Sequence, residues 1–147
     1  MTSQSISVLL LSHLYPNPVN PAFAVFVHEQ VKQLHLQGIR ITVMAPVPWW
    51  PPQFGFNSRW SNYAKVPERT QMDGVSIYYP RYFRPPGSWF RAWSGFAMYF
   101  GVKRLANRLH HHLHFNLIHS HTLFPAGHAG LLLGQQLDLP TICVLQG

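Results

Sequence analysis

The sequence is short of three things, and each shortage excludes something. It has one cysteine, Cys143, in an apolar run, so it forms no internal disulfide and nothing in it asks for an oxidising compartment. It has 4 Asp and Glu against 11 Lys and Arg, and no two acids are neighbours. A paired-carboxylate site of the glycosidase kind is therefore not expected. It has no run of eighteen uncharged apolar residues, so no segment reads as a helix that spans a bilayer. The opening "MTSQSISVLLLS" carries no cation ahead of its short apolar stretch, Ile6–Leu11, and does not read as a secretory signal peptide.

Apolar residues are abundant. They make up 47% of the 147 residues, enough for one domain with a real core, while the low charged fraction argues against disorder. The formal charge of +7 favours an anionic partner: phosphate groups, an acidic membrane or nucleic acid.

"SISVLLLS" reads as a strand buried on both faces. After the turn-rich "HLYPNPVNP", Asn20-Pro21 reads as a helix N-cap, and Phe23, Val27, Val31 and Leu34 form one apolar stripe that Gly38 ends. "IRITVMAP" is a second strand, and a strand–helix–strand unit of this length implies a parallel pair. Val47–Asn62 reads as an irregular loop, and "ERTQMDGVSIYYPR" as a hairpin turning at Asp73-Gly74. A long helix is expected over Trp89–His112, then the strand "NLIHSH", the small-residue helix "PAGHAGLLLGQQLD" and the strand "PTICVLQG". The alternation indicates an α/β fold with a mainly parallel sheet flanked by helices and a β-hairpin insertion. The sequence stops at Gly147, at the end of a strand where a site-forming loop is expected, which suggests a truncated protein.

Three stretches could carry chemistry. In "HSHTLFPAGH" the spacing of His119, His121 and His128 resembles some zinc sites, but the usual Cys or carboxylate companions are absent nearby, so no metal is expected. His119 is as consistent with packing under the sheet as with binding. His121 falls past the strand, at the edge where such sheets bind ligands, and an imidazole there can donate to a phosphate or a sugar hydroxyl. The first-strand loop "SHLYPNPVNPAF" lacks the glycine-rich turn of a dinucleotide site, which counts against an NAD enzyme. A helix N-terminus near Ala22–Ala24 could still hold an anion. Arg81–Arg108 holds Arg81, Arg84, Arg91, Lys103, Arg104 and Arg108 with no acid, interleaved with aromatics that include Trp89 and Trp93. That mixture suits an anionic membrane surface, and nucleic acid less. The spacing of Trp89, Trp93, Phe96 and Phe100 fits a core-packing helix equally. No function attaches to His110–His114.

"ISVLLLSHLYPNPVNPAFAVFVHEQVKQLHLQGIRITVMAP" and "FNLIHSHTLFPAGHAGLLLGQQLDLPTICVLQG" together resemble the N-terminal domain of bacterial family 4 glycosyltransferases of the GT-B fold. The resemblance implies the acceptor-side, Rossmann-like half of that architecture over residues 1–147, with the donor-binding C-terminal half absent and the chain alone inactive. It implies transfer of a hexosyl-type sugar from a nucleotide-sugar, with retention and without a cofactor, to a lipid-linked or polysaccharide acceptor in envelope biosynthesis. His121 would match the catalytic second histidine of the family's H-x-H strand. Tyr15, Asn17, Asn20, Phe23 and Ala24 would match the first-strand loop near donor phosphates and acceptor, with His119 and Gly147 also at the substrate. Ala24 stands where many members have glycine, Asn116 where most have aspartate and Gln146 where histidine is frequent. Arg81, Arg84, Trp89, Arg91, Trp93, Lys103, Arg104 and Arg108 would touch the inner face of the cell membrane from the cytoplasm. The other reading is a non-catalytic basic α/β module that binds anionic lipid or glycan.

Overall fold

The computed structural model describes residues 5–51 and 58–144. Its centre is a six-stranded sheet of β1 (Ser7–Leu11), β2 (Arg40–Met44), β4 (Arg69–Met72), β5 (Val75–Tyr78), β7 (Leu117–His121) and β8 (Thr141–Val144). The strands lie in the order β4-β5-β2-β1-β7-β8. All pair in parallel except β4, which is antiparallel to β5. The hairpin turns at Asp73 and Gly74, both at positive φ, as the Asp-Gly pair predicts.

Helices cover both faces. α1 (Val25–Leu36) lies on one, α3 (Ser94–Leu113) and α4 (His128–Leu137) on the other. The run "SVLLL" serves both layers: Val8 and Leu10 pack with α1, Leu9 and Leu11 with α3 and α4. This is why β1 is continuously apolar rather than alternating. At its start, the Asn116 backbone N–H donates to the Ser7 carbonyl at 2.7 Å, and its Oδ1 accepts the Ser7 N–H at 2.8 Å. An amide here does the acceptor's work of the carboxylate more usual in the resembling family.

Three expectations need correction. First, α1 starts at Val25, not after Asn20. The Asn17 side chain accepts the backbone N–H groups of Val19 and Asn20, each at 2.9 Å, and the Phe23 N–H bonds the Asn20 carbonyl, so Asn20 belongs to a turn. Phe23 accordingly leaves the apolar stripe and is exposed. Second, Val47–Asn62 is not loop throughout. β3 (Val47–Trp49) pairs in parallel with β6 (Arg81–Phe83), and α2 spans Ser58–Ala64. Third, α3 begins at Ser94, after a 3-10 turn over Arg91–Trp93.

α3 is two-faced. Its core face is Met98, Val102, Ala106 and Leu109. Trp89, Trp93, Phe96 and Phe100 are not core: they are 71%, 60%, 41% and 65% exposed. The 3.6-residue period gives an apolar stripe on each side of this helix, and the small and aliphatic one takes the interior. Among the described residues, no helix is long and apolar enough to cross a membrane.

Candidate functional site

The loop after β1 runs over the carboxyl ends of β1 and β2, and beneath it lies a cavity of about 590 Å³. That size is in the usual range for small-molecule sites. Loop residues Tyr15, Asn17, Asn20 and Phe23 line it, facing Tyr63 and Tyr79. Two anchors fix the loop. The Tyr15 hydroxyl lies 2.6 Å from His28 Nδ1, and the Tyr79 hydroxyl donates to the Pro16 carbonyl at 3.0 Å. With its hydroxyl so engaged and its ring buried in the core, Tyr15 forms the fixed floor of the loop. Asn17 uses its carbonyl oxygen in its own turn, which leaves its amide N–H groups for a ligand.

Ala24 does not line this cavity. It sits at the N-cap of α1 with φ 50° and ψ 37°, the left-handed region where glycine is easiest. No side chain caps the first turn, and the Val27 N–H is taken by the Ala24 carbonyl at 3.0 Å, so only the N–H groups ahead of it are left to an anion.

Two further wall residues were not expected at this cavity. His13 lies in the same loop, its Nδ1 buried without a hydrogen-bond partner. Burial, and then the positive charge of Arg84, depress its pKa to about 4, so its ring is neutral at physiological pH. Arg84, one of the residues expected at a membrane, is exposed and lines the cavity beside the Tyr82 hydroxyl. A histidine two residues before Tyr-Pro in the first-strand loop was the available signal for His13. Nothing local marked Arg84, because β6 brings it there by pairing with β3.

The histidine pair of β7 is placed otherwise than expected. His119 and His121 alternate onto one face of the strand and stack, ring centroids 4.9 Å apart. His121 is only 1% exposed and does not line the cavity. The expectation of an imidazole at an open rim is thus corrected. The β7–β8 ladder continues past His121, the Thr122 N–H donating to the Val144 carbonyl at 3.1 Å. Burial, and then His119, lower the His121 pKa to about 4, and burial lowers that of His119. The third histidine, His128, packs edge-on against Phe96. Among the described residues, no three His, Cys, Asp or Glu side chains gather to hold a metal. Gly147 and Gln146 lie outside the described residues.

The basic stretch divides. Arg81 is committed inward: its guanidinium donates to the carbonyls of Tyr79, Tyr63 and Val66, so it stitches loops and is not a surface contact. Arg84 and Arg91 line a smaller hollow next to the main cavity. Lys103 sits over the Tyr99 and Phe100 rings at 5.6 and 5.7 Å, on the exposed face of α3. Arg104 and Arg108 are exposed on the same helix.

The family model for Glycosyltransferase Family 4 matches residues 23–147. The chain is 26% identical over 143 residues to the putative teichuronic acid biosynthesis glycosyltransferase TuaC of Bacillus subtilis (strain 168), an alignment covering 97% of this chain and 36% of that protein. Its fold is similar to that of sucrose-phosphate synthase from Thermosynechococcus elongatus, with a TM-score of 0.64 at 12% identity over 97% of this chain and 33% of that one. The chain thus spans about a third of the length of the relatives it matches.

Proposed function

Because the chain belongs to glycosyltransferase family 4, we propose that it forms the acceptor-side half of an enzyme that moves a sugar from a nucleotide-sugar to a lipid-linked or polysaccharide acceptor, with retention of configuration. What carries this reading is the cavity under the first-strand loop, at the edge where open α/β sheets take their ligands. Its wall alternates aromatic rings with amides and hydroxyls, which suits the apolar faces and hydroxyl rims of a sugar. Donor contacts would come mainly from elsewhere in the protein.

Breaking the bond between sugar and nucleotide diphosphate develops negative charge on the leaving phosphate. Groups aimed at that charge lower the barrier. The Arg84 guanidinium, the neutral His13 ring and the uncapped first turn of α1 are the candidates around this loop. His121, buried and neutral, belongs in this account as a residue that positions the sheet edge rather than as a proton carrier. Its test is His121→Asn, which should leave the pH profile of turnover unchanged.

The test of the site is nucleotide-sugar turnover by the full-length protein. Losing one hydrogen bond to a charged group costs about 1.5–3 kcal/mol. His13→Ala and Arg84→Ala should therefore each lower kcat/KM by roughly ten- to a hundredfold. Wild-type rates in both variants would remove the site from the mechanism. The exposed Trp89 and Trp93 favour a second reading, a non-catalytic module on an anionic membrane. Vesicle binding with no nucleotide-sugar binding would select it.

A further inference from the structure

Three hollows run into one another along this edge. The main cavity shares His13, Tyr82 and Arg84 with a second hollow of about 180 Å³. The second shares Phe90 with a third, of about 480 Å³.

Their chemistry changes in order. The main cavity mixes amides, hydroxyls and rings. The narrow second hollow is cationic, with Arg84 and Arg91 and no acid among its lining residues. It is smaller than the roughly 300 Å³ at the lower end of ligand pockets, so it suits a linking group rather than a whole ligand. The third is a trough with only apolar walls: Phe83, Phe90, Trp93, Phe96, Phe100 and the short residues Ala97 and Gly101. Gly101 lets its floor sink. There α3 lies so close to β6 that an added Cβ would come within 2.6 Å of the Arg81 carbonyl oxygen.

An amphiphile has the same sequence of parts. We propose that the acceptor is a glycan linked through phosphate to a lipid, with its sugar end in the main cavity, its phosphate between Arg84 and Arg91, and its hydrocarbon chain along the aromatic trough. This rests on the glycosyltransferase reading and narrows its acceptor. A free polysaccharide would leave the trough without a role. Two guanidinium groups match a phosphate in charge and geometry. Aromatic side chains gain most from covering hydrocarbon, and here they stand exposed, in a row, directly beyond the cations. The rings also touch one another, Phe83 to Phe90 at 5.7 Å and Trp93 to Phe96 at 6.2 Å between centroids, so the wall is continuous rather than scattered.

Farnesyl phosphate, kept below its aggregation threshold, is the probe. It is titrated against the full-length protein with tryptophan fluorescence as readout, beside farnesol, inorganic phosphate and anionic vesicles. Farnesyl phosphate should bind, and both fragments should bind at least tenfold more weakly. Arg84→Ala and Arg91→Ala should weaken binding at least tenfold, as should Phe100→Ser, whose exposed position leaves the core intact. No binding of monomeric farnesyl phosphate, equal binding by all three variants, or binding to vesicles alone would overturn the proposal; the last would point to membrane contact. Nucleotide-sugar binding and slow nucleotide-sugar hydrolysis, neither of which needs the acceptor, are measured on the same preparations. Either of these without farnesyl phosphate binding refutes the lipid assignment and leaves the transferase reading. Farnesyl phosphate binding without either does the reverse.

Discussion

The Tyr15 hydroxyl lies 2.6 Å from Nδ1 of His28, which joins the cavity loop to the middle of α1. The other nitrogen of that ring, Nε2, is 2.8 Å from the Asp73 carboxylate in the hairpin turn. A carboxylate only accepts, so Nε2 carries a proton, and a neutral ring then accepts the tyrosine proton at Nδ1. Three segments distant in sequence thus share one buried imidazole. His28→Ala would leave the buried Tyr15 hydroxyl unpaired and should cost about 1–3 kcal/mol. The expected observation is a lower urea midpoint, together with a raised acceptor KM because the loop loses its anchor. An unchanged midpoint would mean that the relay is ornamental.

Ala24 pays strain at the start of α1, where its φ is 50°. The left-handed region costs an L-residue about 1–2 kcal/mol that glycine does not incur. Ala24 is partly buried against the core on the α1 side, so the missing methyl forfeits some packing. The relief of strain outweighs that loss and the added chain entropy of the unfolded state, and Ala24→Gly should stabilise the fold by less than about 1 kcal/mol. Thermal unfolding of the pair checks it, with a higher melting temperature expected for the variant.

Gly101 is the converse case. A Cβ there would meet the Arg81 carbonyl oxygen at 2.6 Å and Tyr82 Cα at 2.9 Å, both backbone atoms that cannot swing aside. Gly101→Ala should destabilise by about 1–3 kcal/mol, although alanine is the better helix former. Chemical denaturation that finds the variant more stable would contradict the close packing of α3 on β6.

Acid should weaken the fold well above the carboxylate range. His13 and His121 titrate near 4 when folded, against about 6.5 when unfolded. Below about pH 6.5 the unfolded chain takes up protons that the folded one refuses, so stability falls from there down to about pH 4, by about 1.4 kcal/mol per pH unit for each ring. Above pH 6.5 neither ring contributes a slope. Asp73, whose carboxyl is held below its usual value first by the hydrogen bond from His28, adds a loss only at lower pH, as pH falls through its folded pKa. Urea midpoints measured at pH 7, 6 and 5 should decline, and His13→Asn should flatten that decline.

The sheet was legible in the sequence because buried parallel strands are short, mostly apolar runs, and "SVLLL" and "RITVM" stand out from what flanks them, whereas "LIHSH" only opens as one. The hairpin was legible because Asp-Gly meets the two positive φ values of its turn. What escaped were features made by pairing at a distance. β3 contains Pro48 and is three residues long, so it carries no strand signal of its own and exists through its partner β6. That pairing also brings Arg84 to the cavity, where no local pattern could place it. The direction of the α3 faces was left open between core and surface because two apolar stripes satisfy one period. His121 was placed at the right strand end, but its solvent access depends on how the residues around it pack, which spacing does not encode.

The division of α3 separates two kinds of evolutionary constraint. Met98, Val102, Ala106 and Leu109 hold the domain together, while Trp93, Phe96 and Phe100 on the opposite side are free of that duty. Descendants of this chain can exchange the outer rings for bulkier, shorter or polar groups with little penalty in foldedness. Selectivity for what lies along that side can therefore drift quickly, on a scaffold that changes slowly.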